Sequence, residues 1–291
     1  MLKNLKQVWA GALLLCLASM SASTAAFAAG EGTQQKLIYE VYASGFHVVQ
    51  ARLDIDLSSP KTYDISLDAD TRGFLGKLVP WSGTFESNGW VMKDGSYHPK
   101  QHASSAIWKK EKDSKDYQYN KDGTFKGLTI TEHDKEPEVK EVDAELTDNT
   151  IDILTATLNV LSAYPLTNVC EGEAEIFDGK RRFKQTFTHE ANEQLQASKY
   201  NIFEGEAARC VVEVTPVAGD WGSKPRGWMS IQEQGRDRGS MPTVWIGKVS
   251  EKGPAVPIKI RVKTAYGTLF MHLAEFQTAD QLLVADKRKK D

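Results

Sequence analysis

The sequence predicts an all-β protein: a long antiparallel meander of roughly a dozen strands with one amphipathic helix packed on it or plugging it. Three observations predict this. Apolar and polar residues alternate along many short runs, turn dipeptides separate the runs, and one stretch breaks the period of two for a helical one. The composition agrees, because 291 residues that are 41% hydrophobic and 26% charged suit a globular chain with a sizeable core.

The first element is a leader. Residues 1–28 read as a secretory signal, with Lys3 and Lys6 as the basic start, Val8 to Ala18 as the apolar core and Ala26-Phe27-Ala28 as the cleavage site. That apolar run falls short of the about 20 residues that span a bilayer. Leu15 before Cys16 is too bulky for a lipid-modified signal. No other window reaches transmembrane length. The expectation is an exported, soluble periplasmic protein with one barrel-like domain at 29–278 and a basic tail at 279–291. The net charge of −3 becomes more negative once Lys3 and Lys6 are removed, which argues against nucleic-acid binding.

Strand patterning begins at Leu53, Ile55 and Leu57, which alternate with Asp54 and Asp56. After Ser58-Ser59-Pro60, Tyr63, Ile65 and Leu67 alternate with Asp64, Ser66 and Asp68, as in a hairpin with one wet face. Asn88-Gly89, Asp94-Gly95, Asp122-Gly123 and Asp178-Gly179 each read as a tight turn requiring positive φ. The helical stretch runs from Thr150 to Tyr164, with Ile151, Leu154, Leu158 and Leu161 on one stripe, Asp148 as its cap and Pro165 as its stop. Its polar face carries no Lys or Arg, unlike a membrane-surface helix. Residues 219–241 show little period and read as a surface connection. Ile258, Ile260 and Val262, then Leu269, Met271 and Leu273, restore the strand pattern. Ala279 to Asp291 reads as a short helix ending in a frayed basic run. No fixed-period repeat supports a propeller or solenoid.

With Cys16 removed, Cys170 and Cys210 remain, and an oxidising compartment favours a disulfide between them. The loop of about 40 residues would contribute roughly 4 kcal/mol on a chain-entropy basis. No nucleophile elbow, S-x-x-K or phosphate-cradling glycine loop is present, so no catalytic residue and no cofactor are expected. His98 and His102 stand four apart on a strand, about 13 Å, too far to share an ion, so no metal is expected. Two features suit ligand binding. Lys180, Arg181 and Arg182 flank a tight turn and could hold an anionic group; the bland reading is arginines paired with acids on the wall. Of seven tryptophans, Trp9 lies in the leader, and Trp81 and Trp245 are candidates to line an apolar cavity, with core packing as the alternative.

Pieces of the sequence resemble, in order, the bacterial domain-of-unknown-function family numbered 3108, in its alphaproteobacterial form. They are Tyr39 to Phe46, Tyr63 to Gly73, Asp152 to Ala156, Cys170-Glu171-Gly172, Ile176 to Arg182, Arg209-Cys210, Pro216 to Gly219, Pro242 to Trp245 and Tyr266-Gly267-Thr268. Ile153 stands where the family pattern has Pro. The resemblance implies an exported β-rich protein, similar to envelope proteins built as an open or spiral β-barrel, and no catalytic residues. The expected function is non-enzymatic binding of an apolar or amphipathic envelope molecule such as a lipid, in support of envelope maintenance. One alternative is a scaffold for another periplasmic protein; another is a hydrolase on cell-wall or lipid substrates.

Overall fold

The computed structural model describes residues 33–222, 228–264 and 267–290. The leader, its cleavage site and Tyr266 lie outside the described residues. The first strands are β1 (Gln34–Ala43), β2 (Phe46–Asp56), β3 (Thr62–Thr71), β4 (Trp81–Val91) and β5 (Tyr97–Trp108). Next come β6 (Glu111–Tyr119), β7 (Phe125–Thr131), β8 (Glu138–Lys140), β9 (Gly172–Phe177) and β10 (Arg181–Leu195). The last are β11 (Gly205–Gly219), β12 (Thr243–Gly247), β13 (Val256–Thr264), β14 (Gly267–Gln277) and β15 (Leu282–Val284). Among the described residues four α-helices interrupt them: α1 (Gly73–Leu78), α2 (Ala144–Thr147), α3 (Ile153–Thr167) and α4 (Trp228–Asp237).

All strands join one antiparallel sheet in the order β8 to β1, then β14 to β9, with β15 added beside β14. The first half is thus a meander running one way from β1, the second a meander returning to it. The end strands β8 and β9 are not paired with each other, so the barrel is open. Side chains fill the seam. Phe177 of β9 meets the rings of Tyr117 and Phe125 at 6.0 and 5.6 Å, and Lys115 Nζ donates to the Asp178 carbonyl at 2.7 Å. Ile151 lies along the edge of β9, its N–H bonded to the Glu175 carbonyl at 2.9 Å.

The predicted hairpins place their apolar face inward: Leu53, Ile55, Tyr63 and Ile65 share one buried cluster with Leu37, Tyr39 and Leu273. Asp94-Gly95, Asp122-Gly123 and Asp178-Gly179 form turns with glycine φ near +90°, at 85°, 89° and 92°. Each aspartate accepts the backbone N–H two residues on, from Ser96, Thr124 and Lys180. Asn88-Gly89 is a correction. It sits inside β4 at a bulge, and a Cβ on Gly89 would lie 2.0 Å from the His98 carbonyl oxygen. Glycine is needed there for close approach of two strands, not for a turn.

The helix α3 is also shifted from expectation. Its cap is Asp152, while Asp148 ends α2, and the helix runs through Pro165 to Thr167, where Asn168 closes it at φ 54°. A proline lacks the N–H that would bond the carbonyl four residues back. That carbonyl belongs to Leu161, and it accepts from Ala255 N–H at 3.2 Å instead. The proline is tolerated because another segment supplies the missing donor. Leu154 and Leu158 belong to a buried cluster with Leu53, Ile55, Tyr63 and Ile65 of the first half and Trp245, Val256 and Ile258 of the second, and Val160, Leu161 and Tyr164 to a cluster of the second half. Each such leucine contributes roughly 2 kcal/mol by burial, and together they bind the two halves to one plug.

Two segments expected to be loose carry structure. Within 219–241, α4 places Met229 against Ala156, Ile176, Phe183 and Val214. Its Gln232 amide bonds both the N–H and C=O of Val214, at 2.7 and 3.0 Å, covering a stretch of β11 edge that β12 leaves bare. Near the C-terminus β15 pairs with β14, and Arg288 bonds Glu275 at 2.7 Å and Glu40 at 2.6 Å. The basic run is therefore anchored by Arg288.

Candidate functional site

The residues favoured by the sequence fall in separate places. Arg181 is held by Asp178, Nε and Nη2 both on Oδ2 at 2.9 and 2.6 Å, and its guanidinium lies 4.6 Å from the Trp221 ring. Arg182 bonds Glu175 at 3.1 Å and the Glu145 carbonyl at 2.7 Å. Lys180 is exposed beside them. Trp245 is buried, donates to Glu193 Oε2 at 2.7 Å, and carries the cations of Lys259 and Arg261 over its ring at 4.7 and 5.4 Å. Burial and the neighbouring Arg261 lower the Lys259 pKa. Trp81 opens β4, cross-strand from Trp108.

Cys170 and Cys210 form a disulfide joining the approach to β9 to β11, with Cα atoms 6.2 Å apart. His189 Nδ1 lies 3.6 Å from Cys170 Sγ, so these three side chains form a compact ligand-type group whose sulfurs are bonded to each other.

Inside the barrel, Ser87, His102 and Asp152 meet although 65 residues separate the first from the last. Asp152 caps α3. Its Oδ1 accepts from the N–H groups of Leu154 and Thr155, both at 2.9 Å, and Oδ2 from the Thr155 hydroxyl at 2.6 Å. Ser87 donates to Oδ1 at 2.6 Å and lies 2.8 Å from His102 Nδ1. Tyr63 reaches Thr155 Oγ1 at 2.5 Å and must donate, because that hydroxyl gives its hydrogen to Asp152. Burial outweighs the attraction of Asp152 and lowers the His102 pKa. With the Ser87 hydrogen spent on the carboxylate, His102 Nδ1–H donates to Ser87.

A nucleophilic serine requires another arrangement, in which the imidazole takes the hydroxyl proton on one nitrogen while the carboxylate holds the other. Here both Ser87 and Asp152 face Nδ1, the latter at 3.5 Å. The cluster fixes the start of α3 to β3, β4 and β5.

The opposite end of the barrel, where β2 and β4 begin and β5 ends, carries a crescent of uncovered apolar side chains. Phe46 and Phe74 are each 72% exposed, Leu78 60% and Trp108 46%, with Ile107 and Trp81 beside them. Phe46 opens β2, Phe74 and Leu78 lie on α1 between β3 and β4, and Ile107-Trp108 end β5. Adjacent strands are about 4.8 Å apart, so this group spans roughly 15–20 Å. Thr71 Oγ1 fixes α1 by donating to the Val79 carbonyl at 2.9 Å and accepting from Trp81 N–H at 3.0 Å.

Lysines border the crescent. Lys77 lies in the last turn of α1, and Lys109 and Lys110 form the β5–β6 turn with φ of 51° and 84°. Two successive left-handed residues make the hairpin turn that Asn-Gly suits, and lysine adopts it at a cost of about 1 kcal/mol each. The neighbouring β1–β2 turn uses Ser44-Gly45. No helix among the described residues is long and apolar enough to cross a membrane.

No curated protein matches the sequence. Among solved structures, the chain is similar to the crystal structure of a beta-barrel-like protein of the domain of unknown function DUF1849 from Brucella abortus. The two are 8% identical with a TM-score of 0.49, over 85% of this chain and 98% of that one. The family model described as protein of unknown function (DUF3108) matches residues 38–274, from β1 into β14, and the chain belongs to that family.

Proposed function

We propose that this is an exported, non-enzymatic periplasmic protein that docks on an amphipathic envelope surface, the anionic face of a lipid bilayer, through the crescent at its open end. The observation that carries this reading is the grouping of Phe46, Phe74, Leu78, Ile107 and Trp108 on neighbouring elements beside Lys77, Lys109 and Lys110. Single exposed apolar residues are ordinary, but a grouped set rimmed by charge marks an interaction surface. Phenylalanine and tryptophan at the acyl boundary with lysines at the headgroups is the pattern of interfacial binding. Each apolar side chain supplies roughly 1.5–3 kcal/mol and each lysine about 1 kcal/mol near an anionic surface.

Sedimentation with phosphatidylglycerol vesicles tests it. The wild type binds, binding weakens with salt, and Phe74→Ser with Trp108→Ser lowers partitioning about 100-fold at unchanged folding stability. Equal sedimentation of wild type and double variant would sink the reading.

A scaffold role is favoured by a different observation. The end strand β8 is only three residues long and its Val139 is 76% exposed, leaving an edge that an extended peptide could join. Crosslinking from position 139 to a periplasmic protein, with no vesicle binding, would select it.

A further inference from the structure

A second site, independent of the lipid reading, lies between α3 and the sheet. Along β10 the inward positions run Phe183, Gln185, Phe187, all buried, so an amide stands where the alternation calls for an apolar side chain. Its strand neighbours are Ala174 on β9 and Val214 on β11, neither of which offers a side-chain donor. Gln185 is 7% exposed, and its Oε1 is buried with no hydrogen-bond partner among the described residues. The other amide lining the slot, Asn159, is already committed, since its side chain bonds both the N–H and C=O of Tyr97 at 2.8 and 3.2 Å. Buried acceptors normally have a partner, so this one asks for a donor from outside the chain.

Space for that donor exists. Gln185 lines a slot of about 180 Å³ with Ala156, Val160, Ala174 and Phe187, and Glu171 and Glu173 stand at its mouth. The slot cannot close by moving the helix inward, because α3 already touches β9, where a Cβ on Gly172 would lie 2.8 Å from Val160 Cγ2. An apolar cavity of about 150 Å³ admits benzene. Of the two acids, Glu173 faces Lys184 at 3.5 Å, and Glu171 is exposed at the entrance.

We propose that this slot binds a small organic ammonium: an apolar body of about benzene size whose N–H donates to Gln185 Oε1 and whose charge is met by Glu171. The apolar walls take the hydrocarbon, the orphan carbonyl fixes the orientation, and the acidic mouth selects a cation over a neutral or anionic analogue.

Benzylammonium, benzyl alcohol and benzoate are the probes, titrated into the exported protein as purified from periplasm and followed by NMR saturation transfer and calorimetry. Benzylammonium binds saturably, benzyl alcohol more weakly, and benzoate does not bind. Gln185→Leu, which continues the apolar row, weakens benzylammonium about tenfold, as expected for losing one hydrogen bond to a charged group. Glu171→Gln narrows the gap between ammonium and alcohol, and Val160→Phe blocks both by filling the slot while leaving Gln185 in place. No saturable binding at millimolar benzylammonium, or an ordered water on Gln185 that the probe does not displace, overturns the proposal. So does benzoate binding as well as benzylammonium, or affinity unchanged in both Gln185→Leu and Val160→Phe.

Discussion

The two ends of this barrel spend their residues in opposite ways. At the end where β5 and β13 begin, α3 is tied down by Asn159 on Tyr97 and by the Leu161 carbonyl on Ala255, while Asp152 gathers hydrogen bonds from four donors deeper inside. The groups that hold α3 there, Asp152, Asn159 and the Leu161 carbonyl, are partnered within the chain, and Leu158 and Leu161 are fully buried. At the other end large apolar side chains stand uncovered, and two lysines hold a backbone conformation that suits glycine. On the proposed reading, the contrast separates residues that serve the fold from residues that serve a surface outside it. Stability is invested at the first end; at the second it is given up.

The comparison breaks most readily at the largest expected effect. Leu158→Ala should lose about 4 kcal/mol in urea unfolding, as a fully buried leucine cut to alanine leaves a cavity in the plug. Phe74→Ala, removing a larger side chain at the open end, should stay within about 0.5 kcal/mol of wild type. Similar losses at both positions would erase the distinction between the ends.

Lys110→Gly sharpens it. At φ 84° glycine relieves the backbone, so the variant should gain about 1 kcal/mol in stability while its partitioning onto anionic vesicles drops about fivefold. A variant that is both less stable and equally well bound would show that the lysine serves the fold after all.

The smallest effect belongs to the outer wall between the ends. His272 of β14 is pushed down to about 4 by burial, with Lys259 acting in the same direction. The folded protein keeps this ring neutral where the unfolded chain protonates it. Stability from this group is therefore full above the ordinary value of about 6.5 and is lost as pH falls towards 4. The loss is about 1 kcal/mol after solvent screening, and His272→Gln should flatten that part of the pH–stability curve.

How much of this was legible depends on whether the signal is local. The alternation in β2, β3, β13 and β14 and the three Asp-Gly turns were readable, since each is fixed within a few residues. The Asn88-Gly89 pair misled because the same dipeptide serves a turn or a bulge, and only the position of His98 across the ladder decides. Pro165 misled in the same manner, its lost bond being made good by Ala255, ninety positions on. The spacing from Asp152 to Thr155 does carry a capping signal, yet Ser87 and His102 come from strands whose register the sequence does not state. Lysine has no preference for tight turns, so nothing marked Lys109-Lys110. Gln185 was open to notice, as the polar residue at the alternate positions of Phe-x-Gln-x-Phe, but its missing partner required the helix above it. The arginines of the Asp178 turn carry two readings in the sequence, a holder of anions or wall residues paired with acids, and Asp178 and Glu175 bond them as in the second.

The pairing of β1 with β14 sets a timetable for the growing chain. Strands β1 to β7 can zip together as each hairpin is made, because every partner is next in line. The other side of β1 must wait more than two hundred residues for its partner, from Ala43 to Leu269. Throughout that interval a ten-residue strand keeps one edge unsatisfied, able to pair with the same strand of another molecule. A chain of this design is most exposed to misassembly while nearly finished, and β14 is what ends the hazard.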